Sequence, residues 1–349
     1  MLVDLAVIGG GPVGLGTAIE ARLAGLSVAV FERRGSPVDK ACGEGLMPSA
    51  RAALGRLGVH PEGLPFRGIH YLAPGASAVA PFRGGAGLGV RRTELSAALH
   101  AAAADAGVHQ VAAAAPRPEV TPDGVRVGDV RARWVVAADG LHSPVRRASG
   151  LDVAVRPPRF PARPAPPARY GLRRHYRVAP WSDLVEVHWA ADAEAYVTPV
   201  AADVVGVAVL GPGGVPFDDW PTRFPQLAAR VAGAPAVSEV RGAGPLRQRA
   251  RRRVAGPVLL VGDAAGYVDA LTGEGIAVGL ACARELVRCL VADRPGDYER
   301  AWRRTTRRYR VLTGGLLAAT RRPLLRRALV PSAQRAPWLF TEIVNQLGH

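Results

Sequence analysis

Apolar positions along the chain change period several times, and each change marks an element. Leu5-Ala6-Val7-Ile8 is a continuous apolar run, as expected of a buried strand. A helical period then runs from about Val13 to Ala24, and a second short strand from Ser27 to Phe31. A helix is predicted over Ser49–Leu57, short strands with turns over Gly68–Phe82, and a helix running to Asp105. Gly107–Ala115 and Val125–Val130 read as a strand pair, and Arg133–Ala138 as a buried strand. Four alternating segments follow, Tyr170–Val178, Leu184–Trp189, Ala193–Pro199 and Val204–Leu210. Their spacing predicts an antiparallel meander. A helix over Phe217–Val231, a buried strand at Val258–Val261 and a long apolar helix from about Ile276 to Ala292 complete the pattern. The proline- and arginine-rich stretch Arg156–Arg169 reads as a crossover between sheets.

The junctions between these elements carry the chemistry. Gly9, Gly11 and Gly14 form G-x-G-x-x-G between the first strand and the first helix. The first glycine permits the tight turn, the second a close backbone approach to a pyrophosphate, and the third close packing of helix on strand. The second strand ends at Glu32, where an acid can accept hydrogen bonds from a ribose, and Arg33 beside it is a further cofactor-binding candidate. Two later strands end in Asp139-Gly140 and Gly262-Asp263, the second followed by a loop with Gly273 and Gly275 and then the helix at Ile276. The loop after Glu32 holds Lys40 and Cys42 in Cys42-Gly43-Glu44-Gly45. From spacing alone these two read as a solvated charge and a small packing residue.

Composition adds bounds. The 349 residues suffice for two lobes, and 48% hydrophobic with 21% charged is a globular balance. The formal net charge is +16, and Lys40 is the sole lysine. With abundant Ala, Gly and Pro, that arginine excess reads as GC-rich coding bias. No basic motif with interleaved aromatics points to nucleic acid. Cys42, Cys282 and Cys289 are too few for a disulfide framework, and reduced thiols imply a cytoplasmic protein. The first strand begins almost at Met1, which leaves no room for a signal peptide, and no apolar run reaches the roughly 18 residues of a transmembrane helix. The arginine-rich tail from Gly296 reads as helix folded against the body with a solvated face. Peripheral membrane contact is its functional alternative.

Taken together, the fingerprint with Glu32, Asp139-Gly140 and Gly262-Asp263 resemble the flavoprotein hydroxylase fold of the para-hydroxybenzoate hydroxylase class over most of residues 1–292. Gly262-Asp263-Ala264-Ala265-Gly266, Leu271-Thr272-Gly273-Glu274-Gly275-Ile276 and Cys42-Gly43-Glu44-Gly45 are similar to the geranylgeranyl reductase family and related biosynthetic monooxygenases, with Ala270 where proline is usual. The resemblance implies an α/β fold with a Rossmann-like FAD-binding domain (GR2-type), interleaved with a mostly antiparallel substrate domain. The FAD-binding pieces would be 1–65, 90–150 and 245–295, the substrate pieces 66–89 and 151–244, with 296–349 as a helical tail. It further implies FAD held by Gly9, Gly11 and Gly14 at the pyrophosphate and Glu32 at the adenosine ribose. Arg92 would contact the ribityl–pyrophosphate region, and Asp139 would support the pyrophosphate region indirectly, with Gly140 allowing the tight approach. Asp263 would bind the ribityl chain, and the helix entered through Gly273, Gly275 and Ile276 would point at the flavin N1/C2 edge. Lys40 and Cys42 would then lie near the isoalloxazine as catalytic candidates.

For the reaction, the resemblance implies first a monooxygenase hydroxylating a hydrophobic aromatic or polyketide-type metabolite through a flavin C4a-hydroperoxide. The alternatives are a reductase of an isoprenoid double bond and a flavin-binding protein without turnover. There is no second G-x-G-x-x-G in a βαβ setting, so NAD(P)H is expected only as a transient reductant. The Trp-x-Trp-x-Ile-Pro stretch of flavin-dependent halogenases is also absent.

Overall fold

The computed structural model describes residues 1–153 and 168–347. Residues 156–167 of the expected crossover lie outside them. Its helices are α1 (Pro12–Leu23), α2 (Pro48–Arg56), α3 (Arg92–Asp105), α4 (Pro144–Ala148), α5 (Pro225–Val231), α6 (Gly275–Val291), α7 (Tyr298–Thr320), α8 (Pro323–Arg335) and α9 (Pro337–Leu347).

The first strand, Leu2–Ile8, is central in a largely parallel sheet. It pairs in parallel with Val28–Phe31 on one side and Val130–Ala137 on the other, with Val7 opposite both Val30 and Val136. Val258–Leu260 extends the sheet in parallel beyond Val130–Ala137. Leu5, Ala6 and Val7 are fully buried, so this strand reads as a continuous apolar run without alternation. The order places the ends of three strands, at Gly9, Asp139 and Gly262, side by side, though far apart in sequence.

A second sheet runs in the order Arg241–Ala243, Arg169–Arg177, Val204–Pro212, Glu194–Ala201, Val185–Trp189, Gly68–Ala73, Ala76–Pro81. All its pairings are antiparallel except that of Val185–Trp189 with Gly68–Ala73.

Three expectations need correction. The meander holds only for its last three strands, since Arg169–Arg177 pairs with Val204–Pro212 and not with its sequence neighbour. His109–Val111 and Gly124–Val127 do not pair. The first adds in parallel to Val28–Phe31, while the second lies antiparallel to Val130–Ala137. The expected helix over 217–231 is a 3₁₀ segment, Phe217–Thr222, followed by α5. Pro221 and Pro225 prevent one continuous helix, since each removes an N–H and disfavours helical backbone before it.

The main core joins the parallel sheet to α1 and α6, and includes Cys282 and Cys289 as buried, unpaired thiols. Of the tail helices, α7 packs on α6, while α8 and α9 pack on the edge strand Ala76–Pro81 of the second sheet.

Candidate active site

The carboxyl ends of the parallel strands open onto a cavity of 1170 Å³ that continues onto the second sheet. This is larger than the roughly 300–1,000 Å³ of an ordinary small-molecule site, so it has room for two ligands. Every cofactor-binding or catalytic candidate named from the sequence lines it except Gly14.

The glycines do different work. A Cβ on Gly14 would collide with the Gly9 carbonyl, and one on Gly9 would lie 2.5 Å from the Ala138 carbonyl oxygen, with Gly9 at φ +110. Those two are needed by the fold. A Cβ on Gly11 would meet only Arg92 Nη2, at 3.9 Å, so this position is open toward the cavity. Glu32 is buried, and its Oε2 accepts the Gly10 N–H at 3.0 Å while Oε1 accepts from Arg34. Burial pushes its carboxyl up, but these hydrogen bonds outweigh it and hold the group below the ordinary carboxylate range. Arg33 beside it is exposed at the same end of the cavity.

Farther along, Arg92 is buried, donates its backbone N–H to Glu44 Oε1 at 2.9 Å, and leaves its Nε unpartnered. Asp139 accepts the Val145 N–H at the start of α4 through Oδ2 and leaves Oδ1 buried without a partner. Burial raises the carboxyl of Asp263, opposed by the charges of Lys40 and Arg92. The Lys40 ammonium lies 3.6 Å from where a Cβ of Gly140 would sit, so the sole lysine faces the cavity. Burial also raises the Cys42 thiol, which therefore keeps its proton at neutral pH. Gly273, Gly275 and Ile276 bring the N-terminus of α6 to the same space. Open glycine positions, two helix N-termini and unpartnered buried polar atoms of both signs suit a dinucleotide carrying phosphates and hydroxyls.

The other half of the cavity is apolar, with Phe66, Ile69, Leu172, Val185, Val187 and Leu246 among its walls. Four tyrosines line the cavity, and two of them are tied to neighbouring elements. The Tyr196 hydroxyl donates to the Leu271 carbonyl at 2.9 Å, and Tyr71 packs edge-on against Phe340 of α9.

One arrangement was not foreseen. Glu44, buried at φ 60, accepts from His175 Nε2 at 2.6 Å. His175 Nδ1 lies 2.8 Å from Ser238 Oγ and 3.2 Å from Arg173 Nη1. Arginine can only donate, so Nδ1 is the acceptor and the Nε2 proton goes to Glu44. Arg173 also pairs with Asp39, and Thr198 donates to the Gly43 carbonyl at 2.7 Å. The loop from Asp39 to Gly45 is thus tied to the second sheet. Glu44 stood in the Cys42–Gly45 motif, but its side-chain partner on the second sheet, His175, is 131 residues away and gave no local signal. Among the described residues no three His, Cys, Asp or Glu side chains cluster as for a metal.

Comparison with known proteins agrees with this geometry. No family model matches the chain. The digeranylgeranylglycerophospholipid reductase 1 of Methanopyrus kandleri is 30% identical over 308 residues, 81% of this chain and 79% of that protein. The menaquinone reductase of Mycolicibacterium smegmatis is 28% identical over 86% of this chain and 79% of its own. The crystal structure of a geranylgeranyl bacteriochlorophyll reductase-like protein from Thermoplasma acidophilum superposes with a TM-score of 0.76 at 21% identity, over 95% of this chain and 91% of that one. The fold, the strand-end motifs and a relative 30% identical over four-fifths of the chain place this protein in the geranylgeranyl reductase family of FAD-dependent oxidoreductases.

Proposed function

We propose that this oxidoreductase is a reductase that saturates a carbon–carbon double bond of a long, hydrophobic, isoprenoid-type substrate. The observation that carries the reading is the cavity joining the glycine fingerprint to an apolar chamber, with the Cys42 thiol in its wall. The reductase names of the relatives at 28–30% identity support it.

In this reading Gly9, Gly11 and the start of α1 hold the FAD pyrophosphate, with Glu32 and Arg33 at the adenosine. Arg92, Asp139 and Gly140 face the ribityl–pyrophosphate region. Gly262 and Asp263 hold the ribityl chain, and Gly273, Gly275 and Ile276 direct the α6 N-terminus to the flavin. FAD, when bound and reduced, supplies the hydride. The apolar walls hold the alkene and exclude water, and Lys40 adds a fixed positive charge beside Asp263. Cys42 gives its Sγ proton to the second alkene carbon, and solvent returns that proton later. The Glu44 backbone N–H, 3.4 Å from Cys42 Sγ, and the Arg92 charge ease the transient thiolate. NAD(P)H meets the protein only transiently as electron source.

The test is anaerobic. Photoreduced holoenzyme is mixed with a polyprenyl quinone or a geranylgeranyl lipid ether, and the product is weighed by mass spectrometry. Gain of two hydrogens without oxygen is expected. Product formed only in air, with one oxygen atom incorporated, would replace this reading with the monooxygenase.

A further inference from the structure

The net charge of +16 is unevenly spread. From Tyr298 onward the chain has eleven arginines against two glutamates, so more than half of the excess lies in its last seventh. Coding bias alone would have spread arginine along the whole chain.

Six of these arginines are on α7 and five follow it, at or within α8, and the last two helices, α8 and α9, also carry unpartnered apolar surface. One face of α8 (Arg326, Val330, Ala333) and one of α9 (Thr341, Val344, Asn345) are buried, and both helices pack on the edge strand Ala76–Pro81. Arg326 is bolted inward, with an ion pair to the fully buried Glu194 at 2.7 Å. Leu324 is nevertheless 80% exposed and Trp338 71%, and Leu325, Leu339 and Ile343 are exposed with them. Isolated exposed apolar side chains are normal. These five fall on two consecutive helices, among the exposed Arg321, Arg322, Arg327 and Arg335, none of which has an ion-pair partner among the described residues.

Apolar side chains flanked by arginine, with an exposed tryptophan, suit a bilayer interface bearing anionic headgroups. A second copy would bring like charge to like. The site lies close behind: Phe340 of α9 stacks edge-on against Tyr71 at 4.9 Å, and Tyr71 lines the apolar chamber.

We propose that α8 and α9 dock the protein peripherally on an anionic lipid bilayer, so that substrate passes from lipid into the chamber behind Tyr71. The substrate half of this statement rests on the reductase reading, whereas the docking half does not.

The test is co-sedimentation of FAD-loaded protein with vesicles of phosphatidylglycerol and phosphatidylcholine, or of phosphatidylcholine alone, at low and high salt. Strong binding only to the anionic vesicles, weakened by salt, is expected. Trp338→Glu with Leu339→Glu, and separately Arg321→Glu with Arg322→Glu, should each lower partitioning about tenfold or more, at roughly fivefold per interfacial arginine. Melting temperature and bound flavin, checked in each variant, should be retained. Equal binding to neutral vesicles, or unchanged binding by both variants, would overturn the proposal. So would a dimer that forms without lipid and is broken by the Trp338 and Leu339 changes. A protein that docks but reduces no alkene leaves the docking in place and removes the reductase reading.

Discussion

Gly11 and Gly14 belong to one fingerprint but answer to different constraints, and substitution separates them. A side chain at Gly11 enters open cavity beside Arg92, whereas one at Gly14 strikes the Gly9 carbonyl. Gly11→Val is therefore expected to purify folded, with the apoprotein's melting temperature, but colourless. Gly14→Val should be destabilised whether or not FAD is added. Flavin absorbance and thermal melting of the two variants check both outcomes. Cys42 and Lys40 are read at the same scale. Cys42→Ala should retain FAD and be photoreduced normally, yet lose about 10²–10⁴-fold in the alkene half-reaction, the usual worth of a positioned acid. Lys40→Met should keep FAD and slow one half-reaction, because the charge beside Asp263 is gone. Rapid mixing resolves the two halves, and wild-type rates in both for Lys40→Met would return it to the role of a surface charge.

At the scale of elements, α6 begins on a group that does not sit easily there. Glu274, at its N-cap, is buried with Oε2 unpartnered, and burial raises its carboxyl to about 7, against the opposing pull of Thr272 and Arg308. The ordinary value is 4.5. Between these values the folded protein keeps a proton that the unfolded chain has released. Stability from this group is therefore intact at low pH and is lost as pH rises through that window. Glu274→Gln should remove the loss, so that the variant gains about 2–3 kcal/mol relative to wild type between pH 5 and pH 8. Melting curves of the holoprotein at the two pH values measure it, and a constant difference would show that Glu274 does not titrate there.

At the scale of the molecule, the loop from Asp39 to Gly45 joins the two sheets. It leaves the parallel sheet after Val28–Phe31 and is held to the second sheet by Arg173, His175 and Thr198. His175 is a positioning residue in this scheme, since it acts through Glu44. His175→Phe keeps ring volume but leaves Glu44 buried beside an apolar ring, at a cost of about 1–3 kcal/mol. The expected result is bound FAD with a shifted flavin spectrum and a raised KM for the hydrophobic substrate, because the loop carrying Cys42 loosens. His175→Gln, which can still donate to Glu44, should recover part of the spectrum. A destabilised variant with an unshifted spectrum and unchanged KM would make the network purely structural.

The sequence alone determined the strand-end motifs of the parallel sheet. The turn at Gly9–Gly14, the acid at Glu32 and the strand ends at Asp139 and Gly262 are local requirements, set within a few residues by backbone freedom and apolar period. The similarity to flavoproteins rested on those local motifs and held. What depended on pairing across the chain was decided by the tertiary structure. Arg169–Arg177 chose Val204–Pro212 as its neighbour, and Glu44 found His175 at a separation of 131 residues. The arginine tail is the same lesson with charge: composition records only its total. Only the folded helices decide which arginine is bolted inward, as Arg326 is to Glu194, and which remain at the surface beside Leu324 and Trp338. Alternation and spacing fix what a segment can bury, and the partner it buries against is a property of the whole chain.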